Sequence, residues 1–214
     1  MKLCDYDAFI FDLDGTIIDS EKYHSRAFAD AVLAQSGYRL SPEEHLEFFG
    51  KHSAWFAEEL NARHGLSLDP DGVLAHKRRR VNEIFEARPF SGAREFLERW
   101  MDTKPMALAT NSSLGFVRPA LEKAGLMDFF QHITTADEIL HRKPDPEIIE
   151  RTVQKLGSDP LKTLVFEDQL IGIEAARSAG AQVVAVDNGQ SVDFPVDVEV
   201  HTWRDLLAMT ESTQ

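Results

Sequence analysis

Ala8-Phe9-Ile10-Phe11-Asp12-Leu13-Asp14-Gly15-Thr16 is the stretch on which the reading of this chain turns. Four apolar residues in succession, with no polar residue alternating among them, suit a strand buried on both faces, as in a parallel sheet covered by helices. Three more short runs repeat the pattern: Met106–Ala109, Thr163–Phe166 and Val183–Val186. Helical stretches lie between them, at Ser91–Met101, Phe116–Ala124, Glu147–Leu156 and Gly172–Ala179, and Gly125, Gly157 and Gly180 stand where a left-handed cap ends a helix. The alternation predicts a doubly wound α/β core.

One interval breaks the alternation. From about Ile17 to Ala87 no run reads as a strand, and the local signals are helical. Ser20–Ser36 runs into Gly37, Ser41-Pro42-Glu43-Glu44 has the form of a capping box with proline at the first helical position, and Asp69-Pro70 opens a helix reaching Phe85. Apolar residues such as Phe28, Val32, Phe48, Trp55, Phe56 and Leu60 suit a small core of their own or an interface with the sheet. The expected division is a sheet core of residues 1–16 and 88–214, with an all-helical insert of residues 17–87 after the first strand. A lid over the carboxyl edge of the sheet is the natural role for such an insert.

With 214 residues the chain has room for one such core and its insert, not for two large independent domains. Its 43% hydrophobic and 28% charged residues fit a folded protein rather than a disordered one. A formal net charge of −13 argues against nucleic acid and anionic membrane as partners, because both call for a basic surface. Cys4 is the single cysteine, so no internal disulfide is possible, which fits a reducing compartment and the cytoplasm as location. The first apolar stretch, Ala8–Phe11, is too short for a signal segment, and no run approaches the ~18 apolar residues of a membrane helix.

Ligands of open parallel sheets bind beyond the carboxyl ends of the strands. There the sequence places Asp12 and Asp14 after the first run, Thr110-Asn111-Ser112 after the second, Glu167-Asp168 after the third, and Arg142-Lys143-Pro144-Asp145 in a separate loop. This combination suits phosphoryl transfer, which proceeds by positioning and charge neutralisation. Asp12 can attack phosphorus in line and become an aspartyl-phosphate, while Asp14 can protonate the leaving oxygen and later deprotonate water. A carboxylate attacking an anionic phosphate meets like-charge repulsion, so Mg²⁺ is expected, with Asp12 and Asp168 as ligands and Glu167 in support, directly or through water. Thr110 and backbone N–H groups near Asn111 suit the phosphate oxygens, and Lys143 suits the charge of the transition state. Each feature alone has a plainer reading: an aspartate pair caps or turns a chain, a lysine is a solvated charge, and Asp145 is a helix cap before Pro146-Glu147. Their value is collective.

In type, order and spacing, Phe11-Asp12-Leu13-Asp14-Gly15-Thr16, Thr110-Asn111-Ser112, Lys143-Pro144-Asp145 and Phe166-Glu167-Asp168 resemble the motifs of the haloacid dehalogenase superfamily, and the resemblance spans essentially the whole chain. It implies a Rossmann-like core, an inserted helical cap, obligatory Mg²⁺, and the backbone carbonyl of Asp14 among the metal's ligands. Gly172–Gly180 resembles the helix after the family's last motif. Dehalogenase and phosphonate-cleaving members lack the second aspartate, so Asp14 implies a phosphatase or a phosphomutase. Asp19–Ala27 resembles the β-phosphoglucomutase-like branch, whose mutases carry a cap arginine shortly after the glycine matched by Gly50. Here Gly50-Lys51-His52-Ser53 has no arginine, which implies phosphatase rather than mutase, and Gln169 replaces the branch's usual serine.

The expected activity is a Mg²⁺-dependent phosphomonoesterase acting on a small phosphorylated metabolite, such as a sugar phosphate or a phosphoglycolate-like acid. A phosphosugar mutase and a non-catalytic binding protein are the alternatives. His24, Lys51 and His52 are candidate substrate contacts in the insert, Lys77-Arg78-Arg79-Arg80 reads as a solvated helix face, and Trp55 and Phe56 read as insert core. No pattern in the sequence specifies an oligomeric state.

Overall fold

The computed structural model describes residues 1–48, 51–189, 194–195 and 197–211, so Gly50 lies outside the described residues. Its strands are β1 (Ala8–Phe11), β2 (Met106–Thr110), β3 (His132–Thr135), β4 (Thr163–Glu167), β5 (Gln182–Val186) and β6 (Glu199–His201). They form one parallel sheet in the order β3-β2-β1-β4-β5-β6. The doubly wound α/β fold is thus as the sequence predicts. Phe11, the last residue of β1, pairs with Leu108 of β2 on one side and Phe166 of β4 on the other, so β2 runs two residues and β4 one residue past the end of β1. Strand order reverses at β1, the place where such sheets open a crevice for ligands.

Two strands were not legible as apolar runs. β3 is half-buried at its start, and β6 is a three-residue edge strand whose residues are exposed or half-buried, so neither presents a continuous apolar run. The central strands carry the core on both faces. Phe9 and Phe11 point to one side, where their rings meet Phe96 of α5 (Ala93–Trp100), Phe166 and Trp203. Phe11 stacks on Phe166 with centroids 4.7 Å apart. Ile10 points to the other face and packs with Val165 against Ile148, Ile149 and Val153 of a helix spanning Glu147–Leu156. That helix follows the 3.6-residue stripe expected of a surface helix, with Ile148, Ile149, Thr152 and Val153 buried. Fully burying such side chains is worth about 1.5–3 kcal/mol each, so the two apolar layers dominate the placement of the strand ends.

By compactness the chain separates into a sheet unit, Met1–Asp19 with Ala87–Gln214, and a helical unit, Ser20–Glu86. Residues 17–19 stay with the sheet unit because the chain turns back after β1: Ile17 and Ile18 N–H groups donate to the Leu13 carbonyl, Asp19 N–H donates to Arg88 O, and Ile18 bridges Pro89. The helical unit contains helices α1 (Glu21–Ser36), α2 (Pro42–Glu47), α3 (Ser53–His64) and α4 (Pro70–Ile84). Ser41 and Glu44 form the reciprocal capping box, and Asp69 accepts from Gly72 N–H at 3.1 Å to start the last of these helices. Its own core includes Phe28 stacked on Phe48 at 4.3 Å, with Phe56 and Leu60. Trp55 does not join this core: it is 47% exposed, correcting the expectation from sequence, because Phe56, the next residue on the helix, turns inward instead. Among the described residues no helix is long and apolar enough to cross a membrane.

Candidate active site

The carboxyl ends of β1, β2 and β4 bring the expected polar residues of the sheet unit together. Gly15 has a φ of 84°, a left-handed turn that side chains disfavour, and it lets the chain fold back directly after Asp14. Asp12, Asp14, Thr110, Lys143, Glu167 and Asp168 are all buried. Buried charges persist only when paired, and here the pairing centres on Lys143. Its Nζ donates to Asp12 Oδ1 at 2.8 Å and to Glu167 Oε1 at 2.5 Å.

The electrostatics follow from that arrangement. Burial outweighs the pull of Lys143 and, with Glu167 and Asp14 adding to it, pushes the Asp12 carboxyl well above the usual carboxylate range. Burial also opposes the Lys143 ammonium, but Asp12 and Glu167 outweigh it and raise that group above the ordinary lysine range. One ammonium therefore serves two buried acids, with the Asp14 carboxyl close enough to add to the charge on Asp12. A cation that takes oxygen ligands fits this donor set, since Mg²⁺ needs only one or two carboxylates beside water and phosphate oxygens.

Glu167 has both oxygens engaged by protein. Oε1 accepts from Lys143, while Oε2 accepts from the N–H groups of Asp168 at 3.0 Å and Gln169 at 3.2 Å. The side chain thus ties Lys143 to the start of α8, numbered with α6 (Leu114–Ala124) and α7 (Glu147–Leu156) after α5 and spanning Leu170–Ser178. Gly172 makes room for it, for a Cβ at that position would overlap the Glu167 carboxylate. A glycine inside a helical pattern was the available signal for this close approach.

Asp14 is held from β2. Ser112 Oγ donates to Asp14 Oδ2 at 2.5 Å, and Thr110 Oγ1 lies 3.4 Å from the same oxygen while accepting from Ser112 N–H. Ser112 was quoted in the motif but not singled out, and its hydroxyl two residues after Thr110 was the clue. Asn111 faces the lysine loop instead: its Oδ1 accepts from Lys143 N–H at 3.1 Å, and its own carbonyl accepts from Arg142 Nη1 at 2.6 Å. Thr16 Oγ1 donates to Asp168 Oδ1 at 2.6 Å, joining the first loop to the last.

The remaining candidates belong to the helical unit or to caps. His24 is on the helix Glu21–Ser36, Lys51 is exposed with its Nζ 5.4 Å from the Trp55 ring, and His52 is the N-cap residue of Ser53–His64. In the basic run, Arg80 pairs with Asp30 and Glu83, Lys77 lies over Phe48, and Arg78 and Arg79 are exposed. Asp145 Oδ1 accepts from Glu147 N–H, as a cap does. Among the described residues, His141, Asp145 and Glu147 are the one group of three such side chains with ligand atoms within 4.8 Å of one another. Glu147 there accepts from the N–H groups of Leu140 and His141, so the group holds the Lys143 loop in shape.

The chain is similar to known proteins in sequence and in fold. The family model described as haloacid dehalogenase-like hydrolase matches residues 9–186. Fructose-1-phosphate phosphatase YqaB of Escherichia coli is 30% identical over 185 residues, covering 85% of this chain and 96% of that protein. Phosphoglycolate phosphatase of Pseudomonas putida is 30% identical over 205 residues, covering 89% and 72%. In fold, the crystal structure of CbbY from Rhodobacter sphaeroides in complex with phosphate superposes with a TM-score of 0.85 at 21% identity, over 96% of this chain and 99% of that one. With its motif residues gathered at the strand ends and the family model spanning most of its length, the chain belongs to the haloacid dehalogenase-like hydrolases.

Proposed function

We propose that the strand-end cluster hydrolyses phosphate monoesters of a small metabolite, with Asp12 as nucleophile and Asp14 as general acid and base. The observation that carries this reading is Lys143 seated between Asp12 and Glu167, with Asp14 two residues beyond Asp12 and held by Ser112. Asp12 forms a bond to phosphorus as the bond to the leaving oxygen breaks, and Asp14 gives that oxygen its proton. Asp14, now ionised, takes a proton from water, whose oxygen displaces Asp12 and releases inorganic phosphate. Lys143 offsets charge on the transferring group, and Thr110 with the backbone N–H groups around Asn111 receives its oxygens. Asp12, Asp168 and the Asp14 carbonyl would hold Mg²⁺, which when bound offsets the repulsion between the Asp12 carboxylate and the phosphate.

The protein is a phosphatase of small phosphorylated metabolites, and sugar phosphates and phosphoglycolate-like acids are the classes to try first, because relatives are named for them. Substrate choice is assigned to the helical unit, with His24, Lys51 and His52 as the residues to vary. The single cysteine, Cys4, suits a cytoplasmic setting. The test is phosphate release across a panel of phosphorylated metabolites, with and without Mg²⁺, comparing the parent with Asp12→Asn. Turnover that requires Mg²⁺ and vanishes in Asp12→Asn supports the assignment; equal turnover in the two proteins removes the covalent mechanism. Bisphosphate-primed interconversion of hexose phosphates without net release would make the protein a mutase instead.

A further inference from the structure

Thr16 sits where three parts of the sheet unit meet. It is fully buried, its hydroxyl donates to Asp168 Oδ1 at 2.6 Å, and its carbonyl accepts from two side chains of the C-terminal region. Trp203 Nε1 donates to that carbonyl at 2.9 Å and Asn188 Nδ2 at 3.0 Å, and Asn188 Nδ2 also lies 2.8 Å from Gly15 O. Two donors fill the two lone-pair directions of the Thr16 carbonyl. With its backbone clamped from one side, the residue has its hydroxyl aimed at Asp168 from the other.

Trp203 is itself set firmly. It begins α9 (Trp203–Glu211), is 1% exposed, stacks on Phe166 with centroids 5.7 Å apart, and packs on Phe96 at 5.2 Å. Phe166 directly precedes Glu167 and Asp168. Gly92 allows the chain to pass close beside the start of α9, since a Cβ there would lie 3.1 Å from Trp203 Cβ. The tryptophan therefore bears on Asp168 by two routes, through the ring of Phe166 and through the carbonyl of Thr16.

We propose that Thr16 is a positioning residue for Asp168, and that Asn188 and Trp203 tune cation affinity by clamping the Thr16 backbone. The inference rests on the reading of Asp168 as a Mg²⁺ ligand. Hydrogen bonds to a metal-ligating carboxylate fix its orientation, and losing one costs about 10- to 100-fold in metal affinity. A hydroxyl donor on Asp168 Oδ1 restrains the rotation of that carboxylate.

Calorimetric titration of Mg²⁺ into the full chain tests this, with unfolding midpoints recorded alongside. Thr16→Val, which removes the donor at nearly constant shape, is expected to raise the Mg²⁺ dissociation constant about 10- to 100-fold, and Thr16→Ser to restore it. Trp203→Phe, which keeps the ring stack but loses the N–H, is expected to raise it by a smaller factor. A purely structural role would lower the unfolding midpoints and leave the Mg²⁺ constant where it is. Folded Thr16→Val with the parent's Mg²⁺ affinity overturns the inference; if that variant does not fold, an unaltered constant in Trp203→Phe overturns it. These results are separable from the proposed reaction. A parent chain that binds Mg²⁺ but releases no phosphate from any ester defeats the phosphatase reading alone, and one that binds no Mg²⁺ defeats the Thr16 proposal.

Discussion

Glu44 in the helical unit and Asp12 in the sheet unit are both buried carboxylates, and their surroundings differ in kind. Glu44 accepts from Ser41 N–H at 2.8 Å, from the Tyr38 hydroxyl at 3.1 Å and from His64 Nε2 at 2.6 Å. Burial alone would raise its pKa, but Ser41, His64 and Tyr38 together hold it below the ordinary glutamate value. Asp12 shares a single ammonium with Glu167, lies beside Asp14, and is held above the ordinary aspartate value. The first acid is satisfied by its neighbours and stabilises a helix start. The second lies among other acids, which opposes its ionisation and is what the proposed roles in cation binding and attack on phosphate would draw on.

Removing the reactive acid should give the largest effect. Asp12→Asn is expected to lower phosphate release by about 10⁴-fold or more, measured at saturating Mg²⁺, because an amide cannot form the covalent intermediate. Asp14→Asn should cost about 10²- to 10⁴-fold, with the larger loss for poor leaving groups such as sugar alkoxides and little for nitrophenolate. Equal losses for good and poor leaving groups would deny Asp14 its role as proton donor.

Next comes the shared counter-ion. Lys143→Met leaves Asp12 and Glu167 buried without their cation, and urea unfolding in Mg²⁺-free buffer should show a loss of about 3–5 kcal/mol. A variant as stable as the parent would mean that the cluster is not held as ions. Gly172→Ala should destabilise by about 1–3 kcal/mol and depress turnover, since its methyl group displaces the Glu167 carboxylate from Lys143. Were glycine there only for helix flexibility, alanine would stabilise the protein instead.

The smallest effect belongs to Glu44. Glu44→Gln should lower stability by about 1–2 kcal/mol at pH 7, from the weakened cap and the lost ionic partner of His64. Because the folded-state pKa of Glu44 lies below the unfolded value of 4.5, its contribution is complete above that pH and fades as pH falls through the folded value. Thermal unfolding of parent and variant between pH 3 and 7 should therefore converge at the acid end. A constant difference would erase the contrast with Asp12, showing that Glu44 acts through shape rather than charge.

Legibility in the sequence followed the range of the interactions involved. β1, β2 and β4 were legible because strands buried on both faces are largely apolar, β5 because its last three residues are buried valines and alanine, and the Ser41–Glu44 cap because its bonds close within four residues. β6 was missed because a short edge strand has little apolar pattern to display, whereas α9 had its signal in Trp203, Leu206 and Leu207 at helical spacing and carries Trp203 into the central aromatic layer. Within the site, the types and order of Asp12, Asp14, Thr110, Lys143 and Asp168 were readable at the strand ends. Their partners were not: Ser112 on Asp14, Asn111 on the lysine backbone, Gly172 beneath Glu167.

By itself the sequence determined the layered α/β fold, the helices that follow the first strand and the order of the acids and lysine at the strand ends, because apolar runs and strand-end residues obey local rules of periodicity and topology. Tertiary structure alone decided which acid holds Lys143, which hydroxyl holds Asp14, and how Trp203 reaches Thr16. Those bonds join residues as far apart as 187 positions, and no local rule links such positions until the sheet brings them within 3 Å.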